Sequence, residues 1–241
     1  MTVYLLVRGD REFLVRPGEE VHSDLGVLDV PDDVAPGDAV ESHLGESFTV
    51  RALRGPDLFD HLERTGAPMV PKDVGLLLGH TGAAAGDRVL DAGTGTGVLA
   101  VYLGRLGADV LTFESREAFA EVARGNVDLA GATDAVEVRT GDVVDELADL
   151  GTFDLVTLDT PDADAVVADL PAHLVSGGFV AVYSPFVGNA RASHEAARNA
   201  GLVDVETLET IQRRMDFDER GSRPTTKGVG HTGYLTFARK R

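Results

Sequence analysis

The sequence predicts an α/β fold: a largely parallel sheet flanked by helices, preceded by a small β-rich N-terminal domain. Three observations carry this. From Gly86 onward, short apolar runs alternate with helical patterns, as strand–helix–strand units require. A glycine loop, Gly93-Thr94-Gly95-Thr96-Gly97, falls between the first of those runs and its helix. Before residue 65, short β-prone runs are punctuated by Pro and Gly instead.

In order, residues 3–7 and 12–15 flank Arg8-Gly9-Asp10-Arg11, which reads as a hairpin turn. Residues 27–30 and 47–51 are further strands, with Pro31, Pro36 and Gly37 between them. A partly closed barrel is expected, and a helix over 58–64 leads out of it. Strands then follow at 88–90, 109–113, 135–139, 153–158 and 179–183. Helices are expected at 98–106, 116–129 and 189–199, the last stopped by Gly201. Residues 204–210 and 233–238 complete the sheet. The domain boundary is placed at 65/66.

Composition limits the chemistry. Hydrophobic residues make up 43% of 241, enough for a sizeable core. No apolar run approaches the roughly 20 residues of a membrane helix. The N-terminus has no basic lead and long apolar stretch, so a cytoplasmic protein is expected. With no cysteine, disulfides, Cys-based zinc sites and cysteine nucleophiles are excluded. No metal is expected.

The formal charge is −18, a surface that repels phosphate. Forty acids stand beside three lysines, Lys72, Lys227 and Lys240. That balance suits a halophile, where screening shortens repulsion. The charge is uneven. Residues 1–67 carry 6 basic and 14 acidic side chains, whereas residues 211–241 carry 8 and 3. The positive tail is where contact with nucleic acid is expected.

The glycine loop carries the strongest functional signal. Glycines at alternate positions let the backbone turn sharply and approach a ligand. The helix N-terminus behind them favours a carboxylate. Asp91 precedes the loop, Glu114 ends the second strand and Asp142 follows the third. Glu114 is placed for ribose hydroxyls and Asp142 for an adenine amino group. A nicotinamide site prefers G-x-G-x-x-G, but Val98 stands where that third glycine would fall. Asp91, Gly93, Thr94, Gly95, Thr96, Gly97, Glu114 and Asp142 together form the pattern of class I S-adenosylmethionine-dependent methyltransferases. The chain resembles that Rossmann-like class from about residue 68 to its end.

Three segments bear on the acceptor. Val70-Pro71-Lys72-Asp73 opens a helix. Leu158-Asp159-Thr160-Pro161-Asp162 follows the fourth strand, so Asp159 faces the ligand edge of the sheet. Asp162 and Asp164 read as solvated loop acids. Arg223-Pro224-Thr225-Thr226-Lys227 and Val229-Gly230-His231-Thr232-Gly233-Tyr234 run into the last strand.

Together with the glycine loop, these segments resemble the TrmI-type tRNA adenosine N1-methyltransferases, archaeal members included, over nearly the whole chain. The resemblance implies a fold of Rossmann-like sheet plus N-terminal β domain, S-adenosylmethionine as cofactor and tRNA as partner. It also implies a homotetramer, with Asp159 as the catalytic carboxylate beside the donor. Lys72, Tyr183, Arg223, Lys227, His231 and Thr232 become the substrate-side candidates. The chain departs from many relatives in having Val70 where they have Tyr. It also has Ala163-Asp164 where bacterial relatives have Pro-Trp, which leaves Tyr183 or Phe186 to stack the base. A small-molecule or protein methyltransferase of the same fold, such as a precorrin-type or isoaspartyl-type enzyme, is the rival favoured by the net charge. A non-catalytic partner subunit is a further rival, disfavoured because the glycine loop and Asp159 are both kept.

Overall fold

A computed structural model describes residues 2–228 and 230–241, so Val229 of the C-terminal segment lies outside the described residues. Six strands open the chain: β1 (Tyr4–Arg8), β2 (Arg11–Val15), β3 (Glu20–Ser23), β4 (Gly26–Asp29), β5 (Ala39–Glu41) and β6 (Ser47–Ala52). The first turn is the expected hairpin, with Gly9 at φ +58°. Four of the strands form an antiparallel sheet in the order β2-β1-β6-β5. The β3–β4 hairpin joins that sheet through the single bridge Leu28–Ser42. The result is an open sheet with a hairpin beside it rather than a partly closed barrel.

Successive residues on β1 face opposite ways, as a strand dictates. Leu6 packs into the N-terminal core with Leu28, Phe48 and Val50. Leu5 packs into the main core with Leu58 and Val101. The small sheet is therefore seated on the rest of the protein through one face.

The connecting helix α1 (Gly55–His61) begins three residues before its expected start. Pro56 sits in its first turn, and the Asp57 carboxylate accepts from Arg54 N at 2.7 Å. Both favour helix initiation there. The next helix, α2 (Pro71–Thr81), starts with Pro71 and ends at Gly82 in the left-handed region.

The main sheet then builds through β7 (Arg88–Ala92), α3 (Val98–Leu106), β8 (Asp109–Glu114), α4 (Glu117–Leu129), β9 (Val136–Thr140) and α5 (Val143–Glu146). It continues through β10 (Phe153–Leu158), α6 (Ala163–Asp169), β11 (Leu174–Ser184), α7 (Val187–Asn199) and β12 (Val203–Glu209). After the hairpin β13 (Met215–Asp218) and β14 (Gly221–Pro224), it closes with β15 (Tyr234–Arg239). Strand order is β12-β15-β11-β10-β7-β8-β9. Only β15 runs antiparallel to its neighbours.

Each sheet face is buried by its own apolar layer. Val89, Val110 and Leu155 pack with α2, α3 and α4. Leu90, Val156 and Val180 pack with α6 and α7. The expected elements do not include β3, β5, α5, α6 or the β13–β14 hairpin. As a correction, Asp164 is on α6 and Asp162 precedes its first turn, although both are exposed as expected. Among the described residues, no helix is long and apolar enough to cross a membrane. Nor is there a group of three or more His, Asp or Glu side chains arranged to hold a metal.

Candidate active site

The carboxyl ends of β7, β8 and β10 open into a cavity of about 430 Å³. The glycine loop forms its floor. Gly93, Gly95 and Gly97 all have positive φ, at +87°, +52° and +80°. At Gly93 no other residue fits, because a β-carbon there would lie 2.1 Å from the Asp159 carbonyl oxygen. Asp159 N donates to Ala92 O at 2.8 Å, so the loop and the β10 terminus are locked together.

The loop amides are largely satisfied within the protein. Gly93 N and Thr94 N donate to Phe113 O, Gly97 N donates to Thr94 O, and Gly95 N donates to the Glu114 carboxylate at 3.0 Å. The loop thus contributes shape and close approach. An anion is left to the first-turn amides of α3, which have no acceptor within their own helix.

Every donor-side candidate borders this cavity except Gly97, which begins α3 behind it. Asp91 is 4% exposed, and both of its oxygens are taken. Oδ2 accepts from Thr112 Oγ1 at 2.6 Å and Oδ1 from Thr157 Oγ1 at 2.5 Å. Burial raises its pKa, and the two threonine hydroxyls oppose that rise. Asp91 is therefore a strut tying β7, β8 and β10. Thr94 joins it through Thr112. Glu114 is also buried, with Oε1 accepting from Arg116 N at 3.1 Å. Asp142 caps α5 by accepting from Val144 N at 2.9 Å.

Asp159 lines the cavity and is exposed there. Desolvation by the surrounding protein, followed by the charges of Asp91 and then Glu114, raises its carboxyl to about 7. The cavity therefore concentrates negative charge, which suits a cationic ligand.

The acceptor-side candidates divide into two groups. Four of them, Lys72, Tyr183, His231 and Thr232, are held by bonds or packing within the fold, outside the cavity lining. Lys72 Nζ donates to Asp73 Oδ1 at 2.6 Å and to Thr232 Oγ1 at 2.7 Å, and Thr232 Oγ1 donates to Asp73 Oδ2 at 2.8 Å. Tyr183 is buried. Its pKa is raised first by burial, then by Asp73 and, more weakly, by Asp159. His231 Nδ1 meets Glu209 Oε1 at 2.6 Å and Nε2 meets Pro185 O at 2.9 Å. Its pKa is raised, chiefly by Pro185 and next by Glu209.

Arg223 and Lys227 stand apart, exposed on β14 and the loop after it. Sequence reasoning did not single out Thr112, Thr157 or the cavity wall Thr65–Met69. The two threonines did leave a signal, since each is polar inside an otherwise apolar strand.

A parallel sheet with one reversed strand inserted next to its edge, and an acid-walled cavity over a glycine loop, define a class I methyltransferase. The cofactor of that class is S-adenosylmethionine, and the residues present fit it: a cationic sulfonium among carboxylates, above a glycine with no room for a side chain. The model of the family described as tRNA methyltransferase complex GCD14 subunit matches residues 61–221. The chain is 31% identical to the tRNA (adenine(57)-N(1)/adenine(58)-N(1))-methyltransferase TrmI of Methanocaldococcus jannaschii, over 96% of this chain and 92% of that protein. Among solved structures, a SAM-dependent O-methyltransferase from Thermotoga maritima superposes with a TM-score of 0.82 at 25% identity, covering 99% and 92% of the two chains. The tRNA (m1A58) methyltransferase TrmI of Aquifex aeolicus shares the fold, with a TM-score of 0.75, 24% identity and coverage of 99% and 96%. The chain belongs to the GCD14/TrmI methyltransferase family.

Proposed function

We propose that this protein methylates N1 of adenosine in the T-loop of tRNA, at position 58 and also at 57, the two positions named for its archaeal relative. Within the structure, one observation carries the reading: the carboxylate of Asp159, which has no side-chain partner among the described residues, lines the donor cavity where its backbone abuts Gly93 of the glycine loop. When bound, S-adenosylmethionine supplies an electrophilic methyl group. Glu114 and Asp142 stand where they can accept from its ribose and adenine.

N1 of adenine has a lone pair and no proton, so no strong base is needed. The chain's task is orientation at near-attack distance. In its charged form, Asp159 accepts from the exocyclic amine and stabilises the positive charge that grows on the ring. The base is stacked inside tRNA and must be extruded to reach Asp159.

Lys72 and Thr232 are bonded to Asp73 and act by fixing the site wall, with His231 bracing Pro185. The Tyr183 ring lies against Gly233, where an added β-carbon would come within 2.5 Å of it. Phe186, 69% exposed three residues further on, is the freer ring for stacking. Arg223 and Lys227 are assigned to tRNA phosphates. Residues 1–65 are read as a separate domain holding distant parts of tRNA. A cytoplasmic homotetramer completes the reading.

The charge of −18 favours the rival, a small-molecule or protein acceptor. Incubation with labelled S-adenosylmethionine and an unmodified tRNA transcript in high salt, followed by nucleoside analysis, decides between them. Labelled 1-methyladenosine is expected. Transfer to metabolites or protein with none to tRNA would reverse the assignment.

A further inference from the structure

Asn126 lies on α4 and is 3% exposed, yet all three of its side-chain bonds leave its own helix. Oδ1 accepts from Glu63 N at 3.0 Å, while Nδ2 donates to Glu63 O at 2.8 Å and to Thr96 O at 2.7 Å. Glu63 opens the segment between α1 and α2, and Thr96 belongs to the glycine loop. One amide thus joins two segments that both lead into the wall of the donor cavity.

The chain just beyond Glu63 forms a wall of that cavity, from Thr65 to Met69. Thr65 Oγ1 comes within 3.9 Å of the point where a β-carbon on Gly95 would sit. Asn126 itself does not line the cavity. Its grip on Glu63 uses a donor and an acceptor side by side. A carboxylate accepts only and an aliphatic side chain does neither, so the amide is chemically specific.

We propose that Asn126 is a positioning residue for S-adenosylmethionine. It pins the 63–69 strap to the glycine loop, so that the cavity wall is ordered before the donor arrives. An unpinned strap would have to be ordered on binding, and that cost falls on donor affinity. Acceptor binding and the chemical step do not bear it.

The test is Asn126→Ala in the full-length protein. Titration with S-adenosylhomocysteine, steady-state kinetics with tRNA and amide exchange are read together. Donor affinity should fall about tenfold, while KM for tRNA and kcat at saturating donor stay within about twofold. Exchange should quicken at 64–69 and remain slow in β7 and β8. Asn126→Asp, which keeps the acceptor but sets a carboxylate oxygen against the Glu63 and Thr96 carbonyls, should weaken S-adenosylhomocysteine binding at least as much.

If Asn126→Ala does not fold, Pro68→Gly loosens the strap without touching α4 and should reproduce the donor-specific loss. Unchanged donor affinity in whichever variant folds overturns the proposal. So does a loss of donor affinity, tRNA KM and kcat in common proportion, the mark of a merely structural residue.

Discussion

The α-carbon of Gly93 stands against the backbone carbonyl of Asp159, so closely that a β-carbon would reach to 2.1 Å of its oxygen. The donor loop and the proposed catalytic carboxylate are thus one mechanical unit. Gly93→Ala must displace one or the other and also adopt an unfavourable φ. It should lose about 2–4 kcal/mol of stability and most donor binding. Gly95→Ala meets nothing closer than 3.8 Å and should cost about 1 kcal/mol from φ alone. Thermal melts and donor titrations of the two variants check the contrast.

Asp159 is held uncharged more readily in the fold than in the unfolded chain, because it is partly desolvated and lies near the like charges of Asp91 and Glu114. The folded state therefore binds its proton more tightly. The stability this contributes is present below the ordinary value of 3.8 and is lost as pH rises to about 7. Asp159→Asn removes the charge and should raise Tm by about 2–4 °C at pH 8, with a smaller rise at pH 5.5. The same variant should lower kcat on the order of a hundredfold or more. A variant with wild-type turnover would remove Asp159 from the mechanism.

If charged Asp159 is the working form, kcat/KM should climb with pH through about 7 and then level off. Glu114→Gln removes a like charge, so the midpoint should move to lower pH. A pH–rate profile measured at saturating donor, with the lost ribose contact offset by concentration, reads this shift. A midpoint that stays still would mean that Glu114 does not act on Asp159.

Lys72, one of the substrate-side candidates, has its ammonium bonded to Asp73 and Thr232, with the side chain only 10% exposed. Lys72→Ala leaves Asp73 as a buried, half-paired charge. It should destabilise the fold by about 3 kcal/mol and leave the salt dependence of tRNA binding unchanged. By contrast, Arg223→Ala and Lys227→Ala should leave Tm alone. Each should reduce the slope of log affinity against log salt by about one. Denaturant melts and filter binding at several salt concentrations separate the two behaviours.

Phe186 and Tyr183 make opposite predictions for base stacking. Phe186→Ala should raise KM for tRNA about tenfold, with donor affinity unchanged, since a base–aromatic stack contributes about 1–3 kcal/mol. Phe186→Tyr should restore it. Tyr183→Phe keeps the ring packed on Gly233 and loses only the hydroxyl, so KM for tRNA should stay within about twofold.

The sequence by itself determined what short-range chemistry controls. The glycine loop had to turn where alternate glycines allow positive φ. The acids at 91, 114 and 159 had to fall at strand ends because the apolar runs stop there. The strand and helix periods assigned most of the sheet. Only the tertiary structure decided that β15 runs against its neighbours, because an alternating apolar pattern reads the same in either direction. It also tied Asp91, an acid that lines the cavity, to two neighbouring strands, through hydroxyls 21 and 66 residues away. It joined Lys72 to Thr232 across 160 positions and Asn126 to Glu63 across 63. The acidity of Asp159 was decided at the same level, since it depends on how closely three carboxylates from three strands are brought together. Local propensity acts over a few residues, whereas enclosure and charge act through space, and only the folded chain sets those distances.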